Sequence, residues 1–160
     1  MKAITIHQPW ATLIAVGAKQ YETRGWATKY RGPIAIHASK KDPHDMMQSL
    51  PHDVQRLMYE QIYDRLGISS GALKRMPTGC VIATANLSNC FKSVDTWTDG
   101  YELEGHRLVY SPEYEFGDFS PGRYAWELTD VQQLPEPIPA KGQQRLWNWE
   151  PEGGVVFEKI

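Results

Sequence analysis

The stretch His7–Trp26, HQPWATLIAVGAKQYETRGW, decides how the chain is read, because its periodicity changes twice in twenty residues. His7 closes an alternating run that starts at Lys2. Ile4 and Ile6 take one face of that run and Ala3, Thr5 and His7 the other, as in a half-buried strand. Gln8 and Pro9 break the alternation. From Pro9 onward, Trp10, Leu13, Ile14 and Val16 fall at helical spacing, so a short helix is expected, with proline in its first turn and Gly17 as its stop. A helix this short depends on packing rather than propensity. AKQYETRGW then predicts a short charged strand. In a pleated strand Glu22 and Arg24 project to one face, and Lys19, just past Gly17, can aim its ammonium toward them.

Further along, a loop through Lys29, Tyr30 and Arg31 leads to a turn at Gly32 and Pro33, and PIAIHAS resumes the alternation. There Ile34, Ile36 and Ala38 share one face, and Ala35, His37 and Ser39 the other, so this strand is a natural partner for the first. Lys40 to Pro51 reads as a surface connection. It leads into the clearest helix of the chain, about Asp53 to Leu66, whose apolar stripe is Val54, Leu57, Met58, Ile62 and Leu66, with Gly67 as terminator. A loop from Ser69 to Pro77 precedes GCVIATANL, a strand expected to be central. From Asp95 to Pro121 the pattern is irregular and fits either an extended hairpin or a loop. RYAWELTDV alternates again, with Tyr124, Trp126 and Leu128 on the core face. LPEPIPAKG follows as a proline-stiffened run that cannot be a central strand. Trp147 and Trp149 are expected to cap the core, ahead of a final VVF.

Several strands with two helical interruptions point to an α+β fold in one domain spanning residues 1–160. With 17 basic and 19 acidic residues the formal net charge is −2, so any grip on a polyanion must come from a local patch. Cys80 and Cys90 are the only cysteines. They do not form a metal knuckle, and two thiols do not make a secreted disulfide framework, so the expected setting is the cytoplasm with no metal and no cofactor. No stretch approaches the roughly 20 apolar residues of a membrane span, so no membrane partner is expected.

HQPWATLIAVGAKQYETRGW resembles the opening of the ASCH domain. GAKQYETR fits that family's GxKxxExR motif at Gly17, Lys19, Glu22 and Arg24. RGPIAIHASKK and MPTGCVIATANL resemble the strands that follow in the activating signal cointegrator branch of the family, and GRYAWEL resembles its closing strand. The resemblance implies a PUA-like mixed β-barrel with flanking helices. It also implies RNA, single-stranded nucleic acid or a modified nucleoside as the partner, taken into a polar cleft that the motif lines.

Charged clusters near a surface are more often salt bridges than sites, and the resemblance is what makes Lys19, Glu22 and Arg24 ligand-binding candidates. Arg24 offers a planar fork, Lys19 a compact charge, and Glu22 is expected to sit ionised between the two cations and orient both. Gln8, Trp10, His37 and Ser39 are placed to floor the same cleft. Trp10 suits base stacking or, as the opening of an amphipathic helix, the core. Arg123 is expected on the rim. Lys29, Tyr30, Arg31, Lys40 and Lys41 combine cations with an aromatic, as a nucleic-acid-contacting rim does.

The resemblance also implies an enzymatic alternative, because some small ASCH proteins resemble amidohydrolases of acetylated cytidine and others are associated with RNA cleavage. If this chain is an enzyme, Lys19 and Glu22 are the minimal catalytic pair. It departs from the amidohydrolase pattern, which has a threonine three residues after the lysine and a later glutamate. Glu22 stands in the threonine position, and Cys80 to Asn89 contains no acid. Binding therefore ranks first, RNA cleavage second and acetylcytidine hydrolysis third.

Overall fold

A computed structural model describes residues 1–67 and 71–151, with Ala72 and Leu73 described by backbone alone. The elements run β1 (Lys2–Ile6), α1 (Trp10–Ala15), β2 (Tyr21–Arg24), β3 (Gly32–Ala38), α2 (Pro43–Gln48), α3 (His52–Leu66) and α4 (Ala72–Arg75). Then come β4 (Cys80–Trp97), β5 (Gly100–Leu103), β6 (Arg107–Tyr110), a 3-10 helix at Glu113–Phe116, β7 (Tyr124–Pro139) and β8 (Leu146–Asn148). The fold is mixed α+β, built on an eight-stranded sheet in the order β2-β7-β4-β3-β1-β8, with β5 and β6 added beside β4. The β1–β3 ladder is parallel, so the two strands with the clearest alternation pair as expected, Ile4 opposite Ile36. The path ends at β2 and β8, and among the described residues no ladder joins these two ends.

Both faces of β1 and β3 are covered, which alternation alone did not reveal. Ile4, Ile6, Ile34 and Ile36 pack with Ala11 and Ile14 of α1. Ala3 and Ala35, on the opposite face, pack with Val81, Trp147 and Trp149. Helix α1 is consequently buried on nearly all sides, and Gly17 ends its segment at φ +81°, a left-handed conformation that suits glycine. In α3 the buried residues are Met58 and Ile62, whereas Leu66 is exposed, and Gly67 closes the helix in the left-handed region.

Three expectations change. The connection Lys40 to Pro51 contains α2, nucleated by Asp42, whose carboxylate accepts from His44 N at 2.8 Å ahead of Pro43 at the first helical position. The segment from Ser69 to Pro77 holds α4; residues 68–70 lie outside the described residues, as does the final VVF. Strand β4 is central between β3 and β7 but continues for 18 residues to Trp97, where it carries the β5–β6 hairpin. The proline-rich run belongs to β7, but only the Tyr124–Glu127 end is paired on both sides. Ile138 and Pro139 pair with β4 alone, as an edge segment allows.

Candidate functional site

A cleft of about 480 Å³ opens between the C-terminal end of β1 and β2. Thr5, Ile6 and His7 form one wall, Glu22, Thr23 and Arg24 the other, and Trp10 stands at the corner where β1 turns into α1. The far wall comes from the irregular segment: Glu115 and Phe116 of the 3-10 helix, then Gly117, Asp118 and Arg123. Gly117 lies so close to β2 that a Cβ there would meet Thr23 Oγ1 at 3.1 Å, and Asp118 N donates to that same oxygen.

Glu22 and Arg24 do share a face. Arg24 Nη2 donates to Glu22 Oε2 and to the Thr5 carbonyl, each at 3.0 Å, so its guanidinium spans the gap between β2 and β1. The expectation that Glu22 sits between two cations is corrected. The acid within ion-pair distance of Lys19 is Glu113, with Nζ to Oε2 at 3.8 Å. Lys19 is only 1% exposed, does not line the cleft, and among the described residues its ammonium has no hydrogen-bond partner. Burial pushes its pKa below the ordinary lysine value, against the opposing pull of Glu113 and Glu22. Burial likewise pushes the Glu113 carboxyl up, opposed by Lys19 and by the amides of Gln20 and Tyr21, which donate to Oε1. Both shifts favour the uncharged forms.

Among the floor candidates, Trp10 lines the cleft while also packing on the core. Gln8 does not line it. Its side chain is fully buried and bonded at both ends, accepting from Thr12 N at 2.9 Å and donating to the Pro77 carbonyl at 2.9 Å. His37 is buried against Trp147, with Nε2 2.7 Å from the Ala140 carbonyl, and burial lowers its pKa. It sits behind β1, away from the cleft lining, because the face expected to be polar is a second core face. Ser39 is buried but reaches the cleft indirectly, through a 2.7 Å hydrogen bond to Nδ1 of His7.

His7 is the cleft residue that sequence reasoning passed over. Burial of the ring, helped by the charges of Lys41 and Arg24 and opposed by Glu22, holds its pKa below the ordinary histidine value. Lys41 N lies 3.4 Å from the Ser39 hydroxyl that bonds to His7, whereas the Lys40 stem lies over Gly79; neither lines the cleft. Arg123 lines the cleft, its Nε donating to the Asp118 carbonyl at 3.0 Å. In the Lys29–Tyr30–Arg31 loop, the Tyr30 hydroxyl donates to the Pro33 carbonyl and Arg31 folds onto the carbonyls of Thr28 and Tyr30; none of the three lines the cleft. Glu113, Glu115 and Asp118 were also missed, since they come from the segment with no readable period. Among the described residues no group of three or more His, Cys, Asp or Glu is placed to hold a metal ion, and no helix is long and apolar enough to cross a membrane.

The model of the ASCH domain matches residues 4–138. The chain is also 26% identical over 146 residues to human activating signal cointegrator 1, and 25% identical to the mouse protein of that name. Each alignment covers 90% of this chain but 21% of the relative, so the chain spans about a fifth of the length of these proteins.

Proposed function

The chain belongs to the ASCH domain family, and from that premise we propose that it binds RNA or a modified nucleobase, holding one unstacked base in the cleft between β1 and β2. ASCH domains belong to a PUA-like group generally linked to RNA binding. The observation that carries the reading is the cleft itself. Its volume of about 480 Å³ lies within the range of small-ligand sites, roughly 300–1,000 Å³, and it combines an aromatic wall with convergent hydrogen-bonding groups. Trp10 provides a stacking face. Glu22, Arg24 and His7 provide acceptor and donor groups, and the two bonds described for Arg24 use a single nitrogen of its fork.

The lining balances Glu22, Glu115 and Asp118 against Arg24 and Arg123, which suits the neutral edge of a base more than a phosphate. Phosphates would then be met outside, by Lys40, Lys41, Lys29 and Arg31. The same reading takes residues 1–160 as one domain and the Arg24–Thr5 bridge as the place where a PUA-like barrel closes. It places the protein in the cytoplasm, in keeping with the free thiols of Cys80 and Cys90.

Nucleosides and short RNA and DNA oligomers, screened together by thermal shift and product analysis, test the proposal. A bound ligand at 100 times its Kd stabilises the fold by about 2.7 kcal/mol, and Trp10→Ala should remove about 1–3 kcal/mol of affinity. If no nucleoside or oligomer shifts the melting temperature, the proposal fails.

Hydrolysis is the second reading, favoured by one observation: Lys19 lies buried with its ammonium 3.8 Å from Glu113, and burial lowers its pKa in the direction a general base needs. Lys19 is sealed behind the cleft wall, so acetylcytidine is expected to remain intact on incubation. Efficient conversion to cytidine, lost in Lys19→Ala, would reverse this ranking.

A further inference from the structure

From a surface remote in character from the cleft, we infer that β6 is a docking edge for an extended, cationic segment of a partner protein. Strands β4, β5 and β6 carry in register Trp97, Gly100 and Tyr110 and, one step on, Asp95, Glu102 and Leu108, so these six side-chain positions share the outer face. Trp97, Leu108 and Tyr110 are 53%, 48% and 54% exposed, a cluster of large apolar groups that a solvated sheet face does not require. Gly100, itself buried, forms part of the base of a hollow among them. It has to be glycine, because a Cβ would come within 2.1 Å of the Val109 carbonyl oxygen.

The edge itself is open. Among the described residues β6 pairs only with β5, so alternate backbone groups of Arg107–Tyr110 face away from the sheet. Beside that edge runs a groove of about 450 Å³, with Leu108, Val109 and Tyr110 on one side and Gln20, Gln61 and Arg65 on the other. An added strand would find main-chain partners in the groove and side-chain contacts on the outer face, the geometry of β-augmentation.

Charge selects the occupant. Asp95 and Glu102 lie on the outer face, Asp99 at the turn beside Trp97, and Glu104 just beyond β5. Of the nearby cations, Arg65 across the groove points Nη1 at the Val16 carbonyl, 3.4 Å away, and Arg107 faces the other way, 4.3 Å over the Phe91 ring and 3.9 Å from Glu127. A polyanion is repelled from such a surface. A second copy is disfavoured as well, since the β6 strand it would offer carries its one cation, Arg107, on the other face and leaves Asp95 and Glu102 unmatched. A lysine or arginine of an added strand, by contrast, finds the rings of Trp97 and Tyr110 on either side of Gly100, with carboxylates at hand.

The test uses the whole chain and a short peptide alternating lysine and valine, followed through the amide resonances of Arg107–Tyr110 and the indole N–H of Trp97. The peptide should shift these signals in a salt-dependent way, a peptide alternating glutamate and valine should not, and Trp97→Ala/Tyr110→Ala should weaken binding roughly tenfold or more. These residues are exposed, and an otherwise unchanged amide spectrum will confirm that the variant is folded. The proposal is overturned if the lysine peptide leaves the signals in place or if the glutamate peptide binds equally. It is likewise overturned if an RNA oligomer shifts the same residues, or if the chain alone dimerises through them.

Discussion

Two acid–base pairs stand back to back in this molecule and are built on opposite terms. On the cleft wall, Glu22 and Arg24 meet at 3.0 Å, with Arg24 26% exposed and hydrogen-bonded to two strands. Behind the wall, Lys19 and Glu113 face each other at 3.8 Å without a hydrogen bond between them, the ammonium sealed from solvent. The first pair is screened and adjustable, as a ligand contact must be. The second loses hydration on both sides and recovers only part of it by attraction, so it is a weak source of net stability yet costly to break in half. Glu113 also accepts from the amides of Gln20 and Tyr21, so the buried pair ties the 3-10 helix to the start of β2. A few residues of one charged stretch thus supply both a cleft wall and part of its footing.

The sharpest way to break the contrast is Glu113→Gln. Glutamine keeps an acceptor for the two amides but leaves Lys19 without its counter-charge, and removal of one member of a buried pair costs about 3–5 kcal/mol. Urea unfolding should show a loss in that range for Glu113→Gln and recovery of most of it in Lys19→Met/Glu113→Gln. A loss under about 1 kcal/mol in the single variant would mean that the pair is already neutral and anchors nothing by charge.

A smaller effect separates the two cations in binding. Arg24→Met should weaken association with an RNA oligomer about tenfold, about 1.4 kcal/mol, and lower the salt slope by about 0.7–0.9 if the fork meets a phosphate. An unchanged slope with weaker binding would put the fork on a base edge. Lys19→Met, once corrected for any loss of fold, should leave both affinity and slope as they were. Equal losses in the two variants would show that Lys19 reaches the ligand and that the cleft is deeper than its lining indicates.

How much was legible in the sequence follows the same division. The β1–α1–β2–β3 succession was readable because periods of 2 and 3.6 alternate cleanly and Gly17 and Gly32 mark the turns. The shared face of Glu22 and Arg24 followed from pleat geometry. The partner of Lys19 was not readable, because Glu113 lies in a segment held by tertiary contacts rather than by any local period, and no local pattern points from one to the other. Gln8 and His37 were misplaced for a related reason. Polar residues at a strand-to-helix corner or on an alternating strand suggest solvent, but Gln8 is spent on the backbone around Thr12 and Pro77, and His37 is covered by Trp147. Asp42 before Pro43 was a usable signal for α2 that the surrounding polar residues obscured.

The smallest expected effect is a pH dependence that separates the covered face from the cleft face. His37 is buried, its Nε2 is held by the Ala140 carbonyl, and Gly142 packs so closely that a Cβ there would lie 2.9 Å from Nδ1. Burial, with a contribution from Lys40, lowers its pKa below 6.5, and the Ala140 hydrogen bond opposes this only in part. The unfolded chain then binds a proton near pH 6.5 that the folded chain still refuses, so stability falls as pH drops below about 6.5 and levels off once the folded histidine titrates too. One histidine contributes at most about 1.4 kcal/mol per pH unit in that window. His7 carries a lowered pKa as well, but its ring opens on the cleft. The stability difference between wild type and His37→Gln should therefore vary with pH whether or not ligand is bound. The corresponding difference for His7→Gln should change when a nucleoside fills the cleft. If ligand alters the His37 difference instead, His37 senses the cleft through β1, and the two faces of that strand are coupled rather than separate.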